Sequence, residues 1–246
     1  MKKIQAALHA FDKLAQATRS RRLAQVFLRH RVLAGGEHRH ILSGELKTVV
    51  DVGANRGQFA LAVRQWVPQA RVISFEPLPG PATVFRRVFS GDDRVQLHQA
   101  AIGPRPEQRN MHISAKDDSS SLLPISAAQK EVFPGTGEVS SIEVRVAPLE
   151  AFLSAEDLRP PSMLKLDVQG FEYEALLGCE SLLANFDRIY CECSFVELYS
   201  GQKLADTIID WLSARGFAIN GILNIMYDKT GRTVQADLFF LRRDKS

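Results

Sequence analysis

The chain has 246 residues, 45% of them hydrophobic and 24% charged, with a net charge of +3. That composition builds a folded domain with a sizeable core and excludes a disordered or collagen-like chain. No run of about 18 apolar residues occurs, so no membrane-spanning helix is expected.

The basic N-terminus carries no apolar h-region and no clear cleavage site, which predicts no secretory signal. Cys179, Cys191 and Cys193 make no paired framework and no C-x-x-C, so reduced thiols and a cytoplasmic location are expected. Charge is uneven. Residues 1–40 hold nine Lys/Arg against Asp12 and Glu37, a net +7, which leaves −4 on the remainder. A mildly acidic body with basic character at one end does not suit a nucleic-acid footprint.

In chain order, residues 3–30 read as helical. Ile4, Ala7, Leu8, Phe11, Leu14 and Ala15 recur at helical spacing, and Leu23, Val26 and Phe27 continue after a polar break at 18–22. Gly35-Gly36 closes this region. The expected division is a basic helical extension over 1–40 and a main domain over 41–246. The stripe Ile4, Leu8, Phe11 and Leu14 lies beside a basic face. Such an arm, residues 1–34, packs on its own domain, pairs subunits into a homo-oligomer, or rests peripherally on an anionic membrane or glycolipid.

Strand and helix then alternate. Strands are predicted at Thr48–Val52, Arg71–Phe75, 94–100, 163–167 and 188–193, with helices at 58–67, 81–89 and 203–215. Pro81 suits the first turn of its helix, and Gly216 closes the last one. Residues 221–227 and 233–241 flank the turn Asp228-Lys229-Thr230-Gly231 as antiparallel strands. About 60 residues separate the third and fourth strands; 111–114 and 142–146 read there as two added strands around the polar run 116–121.

Val49-Val50-Asp51-Val52-Gly53-Ala54-Asn55-Arg56-Gly57 reads as a buried strand, a tight glycine loop and a helix start. Glu76 follows Asp51 by 25 residues, at the end of the second strand. A carboxylate there accepts both ribose hydroxyls of a nucleotide, and the loop glycines let ligand and backbone come close. Asp51 and the loop amides suit the amino and carboxylate groups of an amino-acid moiety. No G-x-G-x-x-G occurs, which argues against a dinucleotide. Pro77 fixes the chain after Glu76, and Ala101 and Ile102 offer a flat backbone surface for a base.

The second distinctive segment is Leu164-Lys165-Leu166-Asp167-Val168-Gln169-Gly170-Phe171-Glu172. Lys165 and Asp167 share one side of a strand, with Asp167 at its carboxyl end. Glu192 ends the next strand on the same edge. The two carboxylates suit a general base, or a divalent cation shared with an alcohol substrate. Glu172 suits a ligand contact or a cap on the following helix. His98 and His112 are isolated and read as structural. Ser119, Ser120 and Ser121 read as loop, with hydroxyls available for hydrogen bonds.

Asp51-Val-Gly-Ala-Asn-x-Gly57 resembles the S-adenosylmethionine loop of class I methyltransferases. Together with Phe75-Glu76-Pro77, Ala101-Ile102-Gly103, Lys165-Leu-Asp-Val-Gln-Gly-Phe-Glu172 and Gln235-Ala-Asp-Leu-Phe239, it resembles, in that order, the FkbM-type methyltransferases over residues 48–241. Phe171 departs from that pattern, which often has a small residue there. The resemblance implies an α/β fold with a Rossmann-like, mostly parallel sheet and an antiparallel C-terminal strand. It implies S-adenosylmethionine as cofactor and methylation of a hydroxyl on a sugar or natural product. The implied cofactor contacts are Asp51, Gly53, Ala54, Asn55, Gly57, Glu76, Pro77, Ala101 and Ile102. The expected catalytic residues are Asp167, then Glu192, with Lys165 beside them. A nicotinamide-dependent oxidoreductase and a non-catalytic scaffold are the alternative readings.

Overall fold

The computed structural model describes residues 21–42 and 44–243. Helix α1 (Arg21–His30) leads to β1 (Thr48–Val52), α2 (Gln58–Trp66), β2 (Arg71–Phe75), α3 (Pro79–Val88) and β3 (Val95–His98). Then come β4 (Ala101–Ile102), β5 (Glu107–Ser114), α4 (Ala127–Val132) and β6 (Glu138–Ala147). The chain ends with β7 (Ser162–Leu166), α5 (Glu172–Gly178), β8 (Arg188–Ser194), α6 (Ala205–Ala214), β9 (Phe217–Tyr227) and β10 (Thr233–Arg242).

The main sheet has the order β3-β2-β1-β7-β8-β10-β9. Its first five strands are parallel, and β10 runs antiparallel to both β8 and β9. The expected sheet, mostly parallel with an antiparallel strand near the C-terminus, is the one observed. Strand order reverses between β1 and β7, so the crevice beyond their carboxyl ends is where an open α/β sheet takes a ligand.

Side-chain alternation builds a core on each face. Val50, Val52, Leu164 and Leu166 point into the cluster that holds α5 and α6 residues such as Leu176, Ile208 and Leu212. Val49 and Met163 point the other way, into a cluster with Phe59, Val63, Phe85 and Val88. Leu23, Val26, Val32 and Ala34 belong to that second cluster. Residues 21–42 are thus packed into the main core. The apolar stripe expected over Ile4, Leu8, Phe11 and Leu14 lies outside the described residues.

The insertion after β3 forms a second sheet, β4-β6-β5. Its apolar face joins Leu78, Phe171, Leu198 and Tyr199, all from loops that follow main-sheet strands. It therefore roofs the carboxyl edge and turns an open crevice into a cavity. Two predicted boundaries shift for local reasons. Helix α3 starts at Pro79 because Leu78 is extended (φ −76, ψ 125) and Pro79 fixes the first turn. Strand β3 stops at His98 because Ala101 and Ile102 leave the main sheet to pair with Val146 and Ala147.

Gly53 makes the closest approach. Its φ is +81°, and a Cβ there would lie 1.8 Å from the Asp167 carbonyl oxygen. Its amide and that of Ala54 both donate to the Phe75 carbonyl, at 3.0 and 2.9 Å. Gly53→Ala combines a disfavoured backbone with overlap against main chain. We expect it to lower stability in urea denaturation by more than about 2 kcal/mol, and a near-native midpoint would contradict the packing described.

Candidate active site

A cavity of about 1210 Å³ lies between the carboxyl edge of the main sheet and the inserted roof. Gly53, Ala54, Asn55, Glu76, Pro77, Ala101 and Ile102 line one part of it; Lys165, Asp167, Gln169, Glu192 and Asp237 line another. Two expected site residues stand off the wall. Asp51 is fully buried behind the loop. Gly57 caps α2 at φ +96° and packs against Phe85 and Phe89.

Asp51 and Lys165 are direct neighbours in the β1–β7 register. Lys165 Nζ lies 3.2 Å from Asp51 Oδ1 and 3.6 Å from Asp167 Oδ2, and it donates to the Gly53 carbonyl at 2.8 Å. Burial works against the charge on Lys165, but Asp51 and Asp167 outweigh it and hold the ammonium above its ordinary range. Burial also raises the Asp51 carboxyl, with Lys165 as the main counterweight. This cation therefore ties two strand ends to the glycine loop and faces Asp167.

Beyond β7, Gln169 adopts φ +56°. Its carboxamide Nε2 donates to Asp167 Oδ1 and to Glu192 Oε2, both at 2.9 Å. Its Oε1 accepts from the Tyr199 hydroxyl at 2.8 Å, and its backbone carbonyl accepts from Ser121 Oγ at 2.6 Å. The sequence gives Gln169 no role of its own within the 164–172 segment; its positive φ is a property of the folded loop that the sequence does not display. Glu172 serves the same loop. Its Oε1 accepts from the Val168 and Gly170 amides, so it braces the loop before α5.

Glu192 is pushed well above the usual carboxylate range by burial and by the Asp167 and Asp237 charges. Asp237, its cross-strand partner, accepts from Tyr190 Oη at 2.5 Å and Asn224 Nδ2 at 2.7 Å. The residues present do not fit a cation shared by Asp167 and Glu192. The Gln169 amide lies between them, and among the described residues no group of three or more His, Cys, Asp or Glu is arranged to hold a metal. His98 and His112 stand apart from the cavity wall: His98 stacks on Phe75, and His112 faces Glu138. Glu37 and His38, placed by sequence in the N-terminal extension, line the cavity.

Glu76 uses one lone pair on each carboxylate oxygen. Oε2 accepts from the Asn55 amide and Oε1 from the Leu78 amide, both at 2.8 Å. The remaining lone pairs are available to a diol. The buried carboxamide oxygens of Asn55 and Gln58 have no partner and belong to cavity-lining residues, which suits an ammonium donor. The carboxylates of Glu76, Asp167, Glu192 and Asp237 share the cavity, a field that favours a cationic ligand. Diol acceptors, orphan amide oxygens and acidic field together fit S-adenosylmethionine.

The sheet order and this cavity define a class I, Rossmann-like S-adenosylmethionine-dependent methyltransferase. The methyltransferase FkbM domain matches residues 51–219, and the chain belongs to that family, with S-adenosylmethionine as its cofactor. It is 29% identical over 184 residues to 2-O-methyltransferase NoeI of Sinorhizobium fredii, covering 71% of this chain and 76% of that one. It is 26% identical over 183 residues to Methyltransferase 1 of Beauveria bassiana, covering 70% and 72%. Among solved structures, Streptococcus pneumoniae Sp1610, a candidate tRNA (m1A22) methyltransferase in complex with S-adenosyl-L-methionine, shares the fold. Its TM-score is 0.50 at 12% identity, over 86% of this chain and 74% of that one.

Two outcomes follow from the buried charges. Lys165→Met leaves the buried Asp51 without its counter-ion and should cost about 3–5 kcal/mol in urea denaturation, whereas adding Asp51→Asn should recover a large part of it. An additive double variant would contradict the pairing. Burial pushes Glu76 up to about 7. The folded protein thus holds this proton more tightly than the unfolded chain. The associated stability is complete below the ordinary value of 4.5 and is lost as pH rises through 7. Between pH 5 and pH 8, Glu76→Gln should therefore gain about 2 kcal/mol relative to the parent protein in paired denaturation curves.

Proposed function

We propose that the protein methylates a hydroxyl oxygen, and that the acceptor is a sugar of a glycan, glycolipid or secondary metabolite. The observation that carries this reading is the bridge Asp167–Gln169–Glu192, which holds two carboxylates side by side next to the glycine loop. Sinorhizobium fredii NoeI is named a 2-O-methyltransferase, which supports oxygen as the accepting atom.

In this reading Gly53, Ala54 and Asn55 hold the amino-acid end of the cofactor. Glu76 takes the ribose hydroxyls, and Pro77, Ala101 and Ile102 flank the adenine. Asp51 and Gly57 act from behind, by anchoring Lys165 and by seating α2 against Phe85. S-adenosylmethionine supplies a methyl group already activated on a sulfonium, so alignment and exclusion of water remain for the protein.

A sugar hydroxyl is a weak nucleophile near neutral pH and must lose its proton as the new bond forms. Asp167 is the base. Its side chain is 41% exposed, and the Lys165 ammonium faces it at 3.6 Å. Glu192, whose carboxyl is pushed well above the usual range by burial and by its acidic neighbours, offers a hydrogen bond to the acceptor. The two carboxyl groups thus take opposite roles, Asp167 as proton acceptor and Glu192 as hydrogen-bond donor. Lys165 stays an ammonium and positions Asp167.

Asp167→Asn should lower turnover about 10²–10⁴-fold with little change in cofactor affinity. Glu192→Gln keeps a donor at that place and should cost much less. Equal losses in the two variants would remove the division of roles. The acceptor itself is found by mass spectrometry of glycans and metabolites from cells with and without the protein. The expected difference is the loss of one CH₂ increment from a hydroxyl-bearing species.

A further inference from the structure

The large exposed apolar side chains are concentrated on one strand. Ile219, Ile222, Ile225, Met226 and Tyr227, all of β9, are 40–54% exposed. Exposed apolar residues scattered singly need no explanation, but a row on one edge strand does. Three of these, Ile225, Met226 and Tyr227, line the catalytic cavity.

The backbone shows how they come to line it. Met226 pairs with Gln235 and Leu223 with Asp237, so β9 carries one residue more than β10 between these pairs. This is a β-bulge at Asn224–Ile225, and Asn224 sits at φ +48°, a conformation uncommon outside glycine. Asn224 Nδ2 donates to Asp237 at 2.7 Å, and Asp237 is the cross-strand partner of Glu192. The bulge thus anchors β9 to the acidic cluster, and Ile225 and Met226 line the cavity directly beyond that anchor. Met111, Leu122, Val132 and Phe133 of the insertion also line this cavity and supply a second set of apolar side chains.

We propose that the bulged end of β9 is an acceptor subsite, and that the acceptor is an amphiphile: a hydroxyl-bearing glycosyl head at Asp167 joined to an aliphatic arm lying between Ile225–Met226 and the roof. This rests on the hydroxyl-methylation reading and narrows it. The argument for this occupant is continuity. The apolar wall begins one residue beyond Asn224, whose amide touches the acidic cluster, and a small free sugar would leave it wet.

The test uses the full chain loaded with S-adenosylmethionine and n-alkyl glycosides of one hexose, methyl, hexyl and decyl, each below its micelle concentration. Calorimetry should show Kd falling at least about tenfold from the methyl to the hexyl glycoside, given the area a short alkyl chain can bury. Ile225→Ser/Met226→Ser should abolish that gain while cofactor affinity is unchanged. Ile219→Ser/Ile222→Ser, on the same strand outside the cavity, should keep it. Equal Kd for short and long glycosides in the parent protein overturns the subsite. So does a gain lost only in the Ile219/Ile222 variant, or a halved mass of the Ile225/Met226 variant in light scattering, which would assign the face to a second copy of the chain. Failure to bind S-adenosylmethionine would instead strike the methyl-transfer reading, and the same titrations measure it separately.

Discussion

The buried pair Asp51–Lys165 is the constraint on which the site depends. Two adjacent parallel strands, β1 and β7, each place a charged side chain in the core at the same register position. Neither charge is tolerable alone in that environment, so each fixes the other. Because Lys165 also donates to the Gly53 carbonyl, strand pairing, loop shape and the orientation of Asp167 are set by one ammonium group. Gly53 completes the arrangement from the other side, where the Asp167 carbonyl leaves no space for a Cβ.

From that anchor the acidic cluster follows. Asp167, Glu192 and Asp237 come from three neighbouring stretches of the sheet edge, and mutual repulsion would scatter them without compensation. The compensation is made of donors: the Gln169 amide for the first two, Tyr190 and Asn224 for the third. Gln169 is held in turn by Tyr199 and Ser121, and Asn224 also donates to Tyr190 Oη.

The inserted sheet and the terminal hairpin give this edge its individual character. The roof covers the loops after β2, β7 and β8 with apolar side chains, and the end of β9 adds exposed hydrophobic residues to the cavity lining. The parallel strands hold the shared chemistry of the class. The insertion and the hairpin are where we propose that this chain meets its acceptor.

Much of this was legible in the sequence, for physical reasons that differ by element. Buried parallel strands are short apolar runs bounded by turn residues, so β1 and β2 were read with their full bounds. The glycine loop, Glu76 and the Lys165–Asp167 segment stood out because few chemistries need those types in that order. The sequence alone also placed Asp167 and Glu192 at strand ends on one edge. What it did not contain was contact. That Asp51 turns to Lys165 rather than the cavity, that Gln169 bridges two carboxylates, and that Glu37 and His38 reach the wall from the N-terminal segment all depend on which strands become neighbours. The β9 bulge is likewise a property of two paired strands, since an extra residue is defined only against its partner. Local pattern determined the elements and the chemical kinds present; tertiary packing decided which of them meet, because burial, charge pairing and register act between segments distant in the chain.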